Sequence, residues 1–253
     1  MKQVPLQIQP RLRYSVDNYL VHSGVAPIVD GFTSALLEDR FNCFLVKGQP
    51  RSGKTHLGLV LSERVHDAGK KVSYRSSADF ALMGAEESNP SIERIDCGIV
   101  DDADLYFESL FLDKSPEGNT DHSPAGAFVS WYESIRQGGG VVVLFVQSTN
   151  FLSSCDSHIA SRIRAATEFS IEDVSDAEAK EMLAMLSKQR GLSLSARQIE
   201  YIQRRVSPSI SGQVQYFDRL LDLSNNSSRA QEAARVGEFD LFKEAFEERA
   251  LSQ

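Results

Sequence analysis

A glycine-rich stretch near residue 50 carries residue types that bind phosphate groups. Gly48, Gly53, Lys54 and Thr55 fit the pattern G-x-x-x-x-G-K-[ST], between the apolar run FNCFLV and the helical pattern LGLVLSERV. Glycines let backbone N–H groups turn towards phosphates, the lysine reaches the β- and γ-phosphates, and the hydroxyl binds Mg²⁺. The stretch therefore predicts a site for ADP or ATP with Mg²⁺ where a strand meets a helix.

A second set of candidate residues is acidic. Asp101 and Asp102 follow the small and apolar residues CGIV, downstream of the glycine-rich stretch. A phosphate-binding loop of this kind needs a carboxylate at a strand end to hold the metal, so we expect Asp101 to bind Mg²⁺. We expect Asp102 to orient or deprotonate the attacking water, where many ATPases of this class carry glutamate. Because aspartate is one methylene shorter than glutamate, we expect hydrolysis to be slow.

Alternating strand and helix patterns supply the elements that must position these residues. Short apolar or β-branched runs predict strands at 41–48, 71–76, 97–102, 140–148 and 167–171. Helical patterns predict helices at 53–68, 78–84, 103–111, 125–137 and 157–165. This alternation predicts an α/β fold with a parallel five-stranded sheet and helices on both faces.

The pattern changes beyond residue 173. The segments SDAEAKEMLAMLSKQRG, SARQIEYIQRRV and SGQVQYFDRLLDLS repeat apolar residues at helical spacing. A further amphipathic helix is predicted at 238–251. These segments predict a small all-helical domain over 174–253. Residues 113–124 contain several turn-forming residues, and we expect them to form a mobile loop.

Composition and charge limit the classes of protein that this sequence encodes. The chain of 253 residues has a net charge of −8 and 42% hydrophobic residues, and no apolar run approaches the roughly 20 residues that span a bilayer. We therefore expect a soluble, cytoplasmic protein that is neither secreted nor bound to a membrane. Three dispersed cysteines and scattered histidines predict neither a disulfide framework nor a zinc site. The acidic balance opposes strong autonomous DNA binding.

Several segments together resemble the DnaA-type branch of the AAA+ ATPases. GKTHL is similar to that family's phosphate loop, IVDDAD to its Walker B strand, ASRI to its arginine-finger box, and QVQYFDRLLDLS with FKEAF to its lid. Within this branch, the chain resembles the short regulatory paralogues that inactivate the initiator. The resemblance implies an AAA+ nucleotide-binding domain over 16–173 and a helical lid over 174–253, preceded by a flexible partner-binding peptide at 1–15.

The resemblance also implies roles for residues outside the phosphate loop. Arg162 would be an arginine finger that acts in trans on a neighbouring subunit's γ-phosphate. Ser148 would be the sensor 1 residue, with Thr149 and Asn150 as its neighbours. The sensor 2 arginine of the family's lid is absent, since Ser211 stands near the matching position. The sequence therefore leaves open whether the lid senses nucleotide.

An N-terminal peptide matches the pattern Q-x-x-L-x-L, by which these paralogues bind the β sliding clamp of DNA polymerase III. Gln3, Leu6 and Ile8 occupy its specified positions, with isoleucine in the last. An extended peptide would place the glutamine in a polar notch and the aliphatic side chains in an apolar pocket. The resemblance thus implies two partners, the sliding clamp and DnaA. It also implies a role in regulating replication initiation, in which Arg162 promotes hydrolysis of DnaA-bound ATP.

Two other functions stay open at this point. The complete set of Lys54, Thr55, Asp101 and Asp102 also suits an ATPase that hydrolyses its own nucleotide. An adaptor that recruits another replication factor or a DNA-bound partner, without triggering hydrolysis, fits the same resemblance. The sequence also leaves open whether ADP or ATP is bound and whether the chain forms a homo-oligomer.

Overall fold

The computed structural model describes residues 16–79, 94–112 and 124–226. The chain folds into two compact units, one comprising Ser15–Glu172 and another that begins at Asp173. The predicted peptide at 1–15, nearly all of the predicted loop at 113–124 and the predicted helix at 238–251 lie outside the described residues.

A parallel sheet forms the centre of the first unit. Its strands are β1 Asn42–Lys47, β2 Val72–Ser76, β3 Cys97–Asp101, β4 Val141–Val146 and β5 Thr167–Ser170. The five strands lie in the order β2-β3-β4-β1-β5, and every pair is parallel. β4 is central and buried at each position, as its β-branched sequence favours. Since the strands run in one direction, their carboxyl ends share one edge of the sheet.

Helices cover both faces of this sheet. They are α1 Ala26–Leu37, α2 Lys54–Asp67, α3 Ala103–Leu112, α4 Pro124–Gln137 and α5 Ser157–Arg164. Side chains of α1 and α2 pack against one face, together with Val143 and Phe145 of β4. Side chains of α3, α4 and α5 pack against the other face, together with Val142 and Leu144. Alternate residues of β4 therefore face opposite cores, as the pleat of a strand requires.

The second unit is helical. Its described helices are α6 Asp176–Gln189, α7 Ala196–Gln203 and α8 Ile210–Asn226. Ser195 and Gln198 form a reciprocal capping box that begins α7. The buried Arg190 guanidinium lies 2.9 Å from Asp218 Oδ1 and joins the end of α6 to α8. Among the helices of the described ranges, none is long and apolar enough to cross a membrane.

The predicted five-stranded parallel sheet with flanking helices and a helical unit after it is confirmed. Local differences have physical causes. α1 was not predicted, because its N-cap residue Val25 offers no side-chain oxygen and Gly31 lies within the helix. The predicted strand at 97–102 ends one residue early, since Asp102 has a φ of 49° and leaves the strand. Only residues 77–79 of the helix near 78–84 are described.

Candidate functional site

The glycine-rich loop joins β1 to α2 at the carboxyl edge of the sheet. Gly48 follows β1, and its N–H donates to the Val146 carbonyl at 3.0 Å, which ties the start of the loop to β4. Gly53 has a φ of 94°, a conformation that glycine adopts readily, and Lys54 is the first residue of α2. The backbone therefore turns from strand to helix within the loop, as the sequence pattern predicts.

The Lys54 side chain folds back into its own loop. Its Nζ donates to the Gly48 carbonyl at 2.8 Å and to the Gln49 carbonyl at 3.2 Å, and the residue is only 8% exposed. A buried ammonium group is costly unless it is hydrogen-bonded, and these carbonyls satisfy it in part. Lys54 therefore holds a positive charge at the beginning of α2, where the helix dipole also favours an anion.

The side chains of the loop pack closely around Gly48, which itself has no side chain. A Cβ at Gly48 would lie 2.5 Å from Ser52 Oγ and 3.1 Å from Lys54 Cγ. Ser52 Oγ is itself buried and has no hydrogen-bond partner within the described part of the chain. A buried hydroxyl without a partner calls for an explanation, and a phosphate oxygen would supply its missing bond. The loop therefore fits a polyphosphate.

Asp101 ends β3 on the same edge of the sheet. It is 7% exposed, and β4 separates β3 from β1, so the strand end lies about 10 Å from that of β1. Both carboxylate oxygens are held: Tyr74 Oη donates to Oδ2 at 3.0 Å, and the Asp102 N–H donates to Oδ1 at 3.1 Å. The carboxylate is therefore fixed in orientation.

Asp102 is strained and electrostatically coupled to the loop. Its φ of 49° lies in the left-handed region, which aspartate tolerates better than most residues. Burial raises the pKa of Asp102, the Asp101 carboxylate raises it further, and the Lys54 ammonium opposes the rise. The Lys54 ammonium and the Asp101 carboxylate thus both influence the pKa of Asp102. A carboxylate with a raised pKa suits a general base better than an ordinary aspartate.

Asp104 is a residue of this site that the sequence analysis missed. It lies in the first turn of α3 and is 6% exposed. Its Oδ2 accepts the backbone N–H of Gln147 at 2.8 Å and that of Ser148 at 3.3 Å, directly beyond the end of β4. The signal was the third acid of IVDDAD, but nothing local indicates that it reaches residues more than 40 positions away. Asp104 thus joins the acidic strand end to the predicted sensor 1 segment.

Ser148 lies at the edge where β1 and β3 also end. Its Oγ accepts the Asn150 N–H at 3.0 Å, which closes a local turn before the short 3-10 helix Asn150–Ser153. The structure therefore brings together the phosphate loop, the acidic strand end and the segment after β4. The sensor 1 role of Ser148 stays a prediction.

Arg162 lies in α5 and has contacts apart from this cluster. Its Nη2 is 2.7 Å from Glu133 Oε1, its Nε donates to the same oxygen at 2.8 Å, and its Nη1 donates to the His158 carbonyl at 2.8 Å. The guanidinium also lies 6.0 Å from the centre of the Tyr132 ring. The side chain is 23% exposed, so part of it is accessible to a partner. Its role as a finger stays a prediction.

The donor set suits magnesium rather than a transition metal. Within the described ranges, no group of three or more histidine, cysteine, aspartate or glutamate side chains could hold a metal ion by itself. Mg²⁺ is usually held by one or two carboxylates together with substrate phosphates and water. Asp101 and the half-buried Thr55 beside Lys54 offer a carboxylate and a hydroxyl of that kind. The residues therefore fit a nucleotide-bound Mg²⁺.

Two predicted features cannot be related to this cluster. Gln3, Leu6 and Ile8 lie outside the described residues. Ser211, at the position matching the family's sensor 2 arginine, is half-buried in the first turn of α8 in the second unit. The clamp peptide and the altered lid therefore stay predictions from the sequence.

Comparisons with known proteins bear on the fold. No protein-family model and no curated protein sequence matches the chain. Domain III of the replication initiation protein DnaA from Thermotoga maritima is similar, with a TM-score of 0.66 and 15% identity over 92% of this chain and 97% of that one. AMPPCP-bound DnaA from Aquifex aeolicus has a TM-score of 0.62 and 18% identity, over 89% of this chain and 71% of that one. The chain therefore has a DnaA-like AAA+ fold.

A third solved structure extends this similarity. The replication initiator DnaA bound to AMPPCP and single-stranded DNA has a TM-score of 0.57 and 16% identity, over 87% of this chain and 75% of that one. The DnaA-type AAA+ fold agrees with the fold class predicted from the sequence. Because fold does not by itself imply function, the roles of individual residues in this chain depend on the geometry of its own site.

Proposed function

We propose that this DnaA-type AAA+ chain binds ADP or ATP together with Mg²⁺ at the edge formed by the loop 48–53 and the end of β3. The observation that carries the proposal is the buried Ser52 hydroxyl, which has no hydrogen-bond partner in the described part of the chain and lies in the loop where the Lys54 ammonium donates to the Gly48 and Gln49 carbonyls. Support comes also from the turn at Gly53 that begins α2, and from the close packing at Gly48, where a Cβ would displace Ser52 and Lys54. Two of the DnaA structures that resemble this chain contain AMPPCP.

Each part of the loop has a distinct task in this proposal. Backbone N–H groups of the loop and of the first turn of α2 donate to the phosphate oxygens. The Lys54 ammonium leaves the Gly48 and Gln49 carbonyls for phosphate oxygens, which are stronger acceptors because they are charged. Thr55 and Asp101 would hold Mg²⁺, which neutralises phosphate charge when bound.

Nucleotide titration of the full chain tests this proposal. We expect a fluorescent ADP analogue to bind wild-type protein in Mg²⁺, and Lys54→Ala to weaken binding by roughly 10- to 100-fold, the value of a charge-assisted hydrogen bond. Lys71→Ala is the matched control, since this exposed lysine precedes β2 at the opposite end of the sheet. Mass spectrometry of the purified protein would identify ADP or ATP that remains bound. Absence of measurable affinity for both nucleotides would refute the proposal.

The nucleotide site is proposed to serve a regulatory role similar to that of Hda, the short DnaA paralogue that inactivates the initiator. In this proposal the peptide with Gln3, Leu6 and Ile8 binds the β sliding clamp, and Arg162 acts on ATP bound to DnaA. The likeness of the fold to DnaA supports an assembly of this kind, because AAA+ proteins of similar shape can form equivalent interfaces. The part-exposed guanidinium of Arg162 supports its access to a partner's γ-phosphate.

A reconstitution tests the regulatory role. Adding the chain and the sliding clamp to ATP-loaded DnaA should increase hydrolysis of the DnaA-bound ATP. Arg162→Ala should abolish the increase, while the variant stays folded and its nucleotide affinity stays near wild type. Deletion of residues 1–8 should abolish binding to the clamp. An adaptor that recruits a partner without triggering hydrolysis would bind DnaA or another replication factor yet leave the hydrolysis rate unchanged.

A second candidate function is hydrolysis of the chain's own nucleotide. The complete set of Lys54, Thr55, Asp101 and Asp102 favours it, because Asp102 directly follows the carboxylate proposed to hold Mg²⁺ and its N–H donates to Asp101 Oδ1 at 3.1 Å. Phosphate release by the purified chain alone distinguishes the two functions. A rate of about 1 per second or more, typical of enzymes, would favour self-hydrolysis, and a much slower rate would favour the regulatory role.

A further inference from the structure

A tyrosine from a neighbouring strand holds the acidic end of β3. Tyr74 lies in β2, and its Oη donates to Asp101 Oδ2 at 3.0 Å. The two residues are 27 positions apart in the sequence, and none of the motif patterns includes Tyr74. The hydrogen bond is part-buried, so water competes with it only weakly.

The position of the Tyr74 ring depends on a glycine in α2. A Cβ at Gly58 would lie 2.9 Å from Tyr74 Cε2, 3.3 Å from Tyr74 Oη and 3.1 Å from Phe145 Cε2. Tyr74 also packs against the core between α2 and the sheet. The missing side chain of Gly58 thus leaves the space through which the ring reaches the carboxylate.

We propose that Tyr74 is a positioning residue that sets the orientation of the Asp101 carboxylate for Mg²⁺ at the nucleotide site. This inference rests on the proposed binding of nucleotide with Mg²⁺. Tyr74 Oη occupies one lone pair of Oδ2, while the Asp102 N–H occupies one of Oδ1, so the carboxylate cannot rotate freely. The remaining lone pairs of both oxygens are left for the metal or its water ligands.

The expected loss of Mg²⁺ affinity without the Tyr74 hydroxyl can be judged from other metal sites in proteins. Groups that hydrogen-bond to a metal-binding carboxylate fix its orientation, and their removal usually costs about 10- to 100-fold in metal affinity or activity. Tyr74 does not touch the phosphate loop in this proposal, and its loss should change the requirement for Mg²⁺ rather than the affinity for nucleotide alone. This separation distinguishes a positioning role from a general packing role.

The test is a Mg²⁺ titration of Tyr74→Phe in the full chain. With a fixed concentration of fluorescent ADP, the Mg²⁺ concentration that gives half of the metal-dependent signal should rise about tenfold or more. The affinity for ADP in EDTA should stay within about twofold of wild type, since Phe retains the ring that packs beside Gly58. Tyr106→Phe is the control, because it removes a tyrosine hydroxyl from the opposite face of the sheet, where Tyr106 is more deeply buried than the half-buried Tyr74.

A double variant separates positioning from loss of stability. In an Asp101→Asn background, Tyr74→Phe should cause no further rise in the Mg²⁺ requirement, because the group that it orients is already gone. Should Tyr74→Phe fail to fold, Gly58→Ala provides a second route, since it displaces the ring from Asp101 and should raise the Mg²⁺ requirement in the same way.

Failure of the positioning role and failure of the proposed nucleotide binding give different results. An unchanged Mg²⁺ requirement in Tyr74→Phe, with wild-type protein binding ADP in a metal-dependent manner, would overturn the positioning role and leave the nucleotide site intact. A wild-type protein that binds neither ADP nor ATP would instead remove the proposed function on which this inference rests.

Discussion

The Arg162 guanidinium forms an ion pair with Glu133, with 2.7 Å between Nη2 and Oε1, and a second bond from Nε to the same oxygen at 2.8 Å. Glu133 belongs to α4 and Arg162 to α5, so the residue proposed to act on a partner is held by its own domain. Glu133 also forms an ion pair with Arg136, with 3.1 Å between Glu133 Oε2 and Arg136 Nε. In the proposed finger role, a partner's phosphate would have to compete with Glu133 for the guanidinium.

Glu133→Gln should increase the hydrolysis of DnaA-bound ATP that the chain is proposed to stimulate. A part-exposed ion pair is worth roughly 0.5 to 1 kcal/mol, so its removal should raise the stimulated rate about two- to fivefold at subsaturating protein. Phosphate release in the presence of the sliding clamp measures this effect. Arg136→Gln is the control, because it removes the other partner of Glu133 and leaves Arg162 paired. A rate equal to or below that of wild type would show that Glu133 does not restrain the arginine.

Asp104→Ala should destabilise the first unit. The buried carboxylate accepts the N–H groups of Gln147 and Ser148, and its loss leaves both donors without this acceptor. Hydrogen bonds to charged groups contribute about 1.5 to 3 kcal/mol, so the free energy of unfolding should fall by roughly that amount. Urea denaturation measures the change. Glu108→Ala, an exposed acid on the same helix, should leave the midpoint nearly unchanged. Equal midpoints for the two variants would contradict the prediction.

Asp102→Asn should increase stability at neutral pH. Because burial and then Asp101 raise the pKa of Asp102, the native state holds this proton to a higher pH than the unfolded state. The free energy of unfolding therefore falls as the pH rises from about 4 to the raised pKa of Asp102. Above that pKa it falls no further on account of this residue. The stability gained by Asp102→Asn over wild type should grow across this range and then become constant. Urea denaturation at several pH values measures it.

Asp79→Asn gives the opposite sign and serves as the control. The Ser76 backbone N–H and then the Ser76 hydroxyl lower the pKa of Asp79, so its contribution to stability is present above pH 4 and disappears in acid. Asp79→Asn should therefore reduce stability at neutral pH, whereas Asp102→Asn should raise it. A loss of stability in both variants would contradict the account of Asp102.

Gly48→Ala should weaken nucleotide binding more than it weakens the fold. The added Cβ would meet Ser52 Oγ at 2.5 Å and Lys54 Cγ at 3.1 Å, so both side chains that face the proposed phosphate must move. We expect the affinity for ADP to fall at least about tenfold, which corresponds to about 1.4 kcal/mol. Isothermal titration calorimetry measures the affinity. Gly138→Ala is the control, because its Cβ would make ordinary contacts beginning at 3.5 Å.

Elements and local motifs could be predicted from the sequence because they depend on neighbours along the chain. The loop from Gly48 to Thr55 joins one strand directly to one helix, so its pattern predicts both its conformation and its place at the sheet edge. The apolar run of β4 likewise predicted a strand buried on both faces. α1 escaped prediction, because its stability comes from packing rather than from a cap or strong helix propensity.

The sequence by itself determined the residue types of the site, the strand and helix pattern and the edge of the sheet at which the loop and Asp101 both lie. Only the tertiary structure decided that Tyr74 holds Asp101, that Asp104 reaches the end of β4 and that Glu133 pairs with Arg162. The physical reason is that these contacts join residues far apart in the sequence. Hydrophobic periodicity determines which face of an element is buried, whereas the partner across that face depends on the strand order and on gaps such as the one at Gly58.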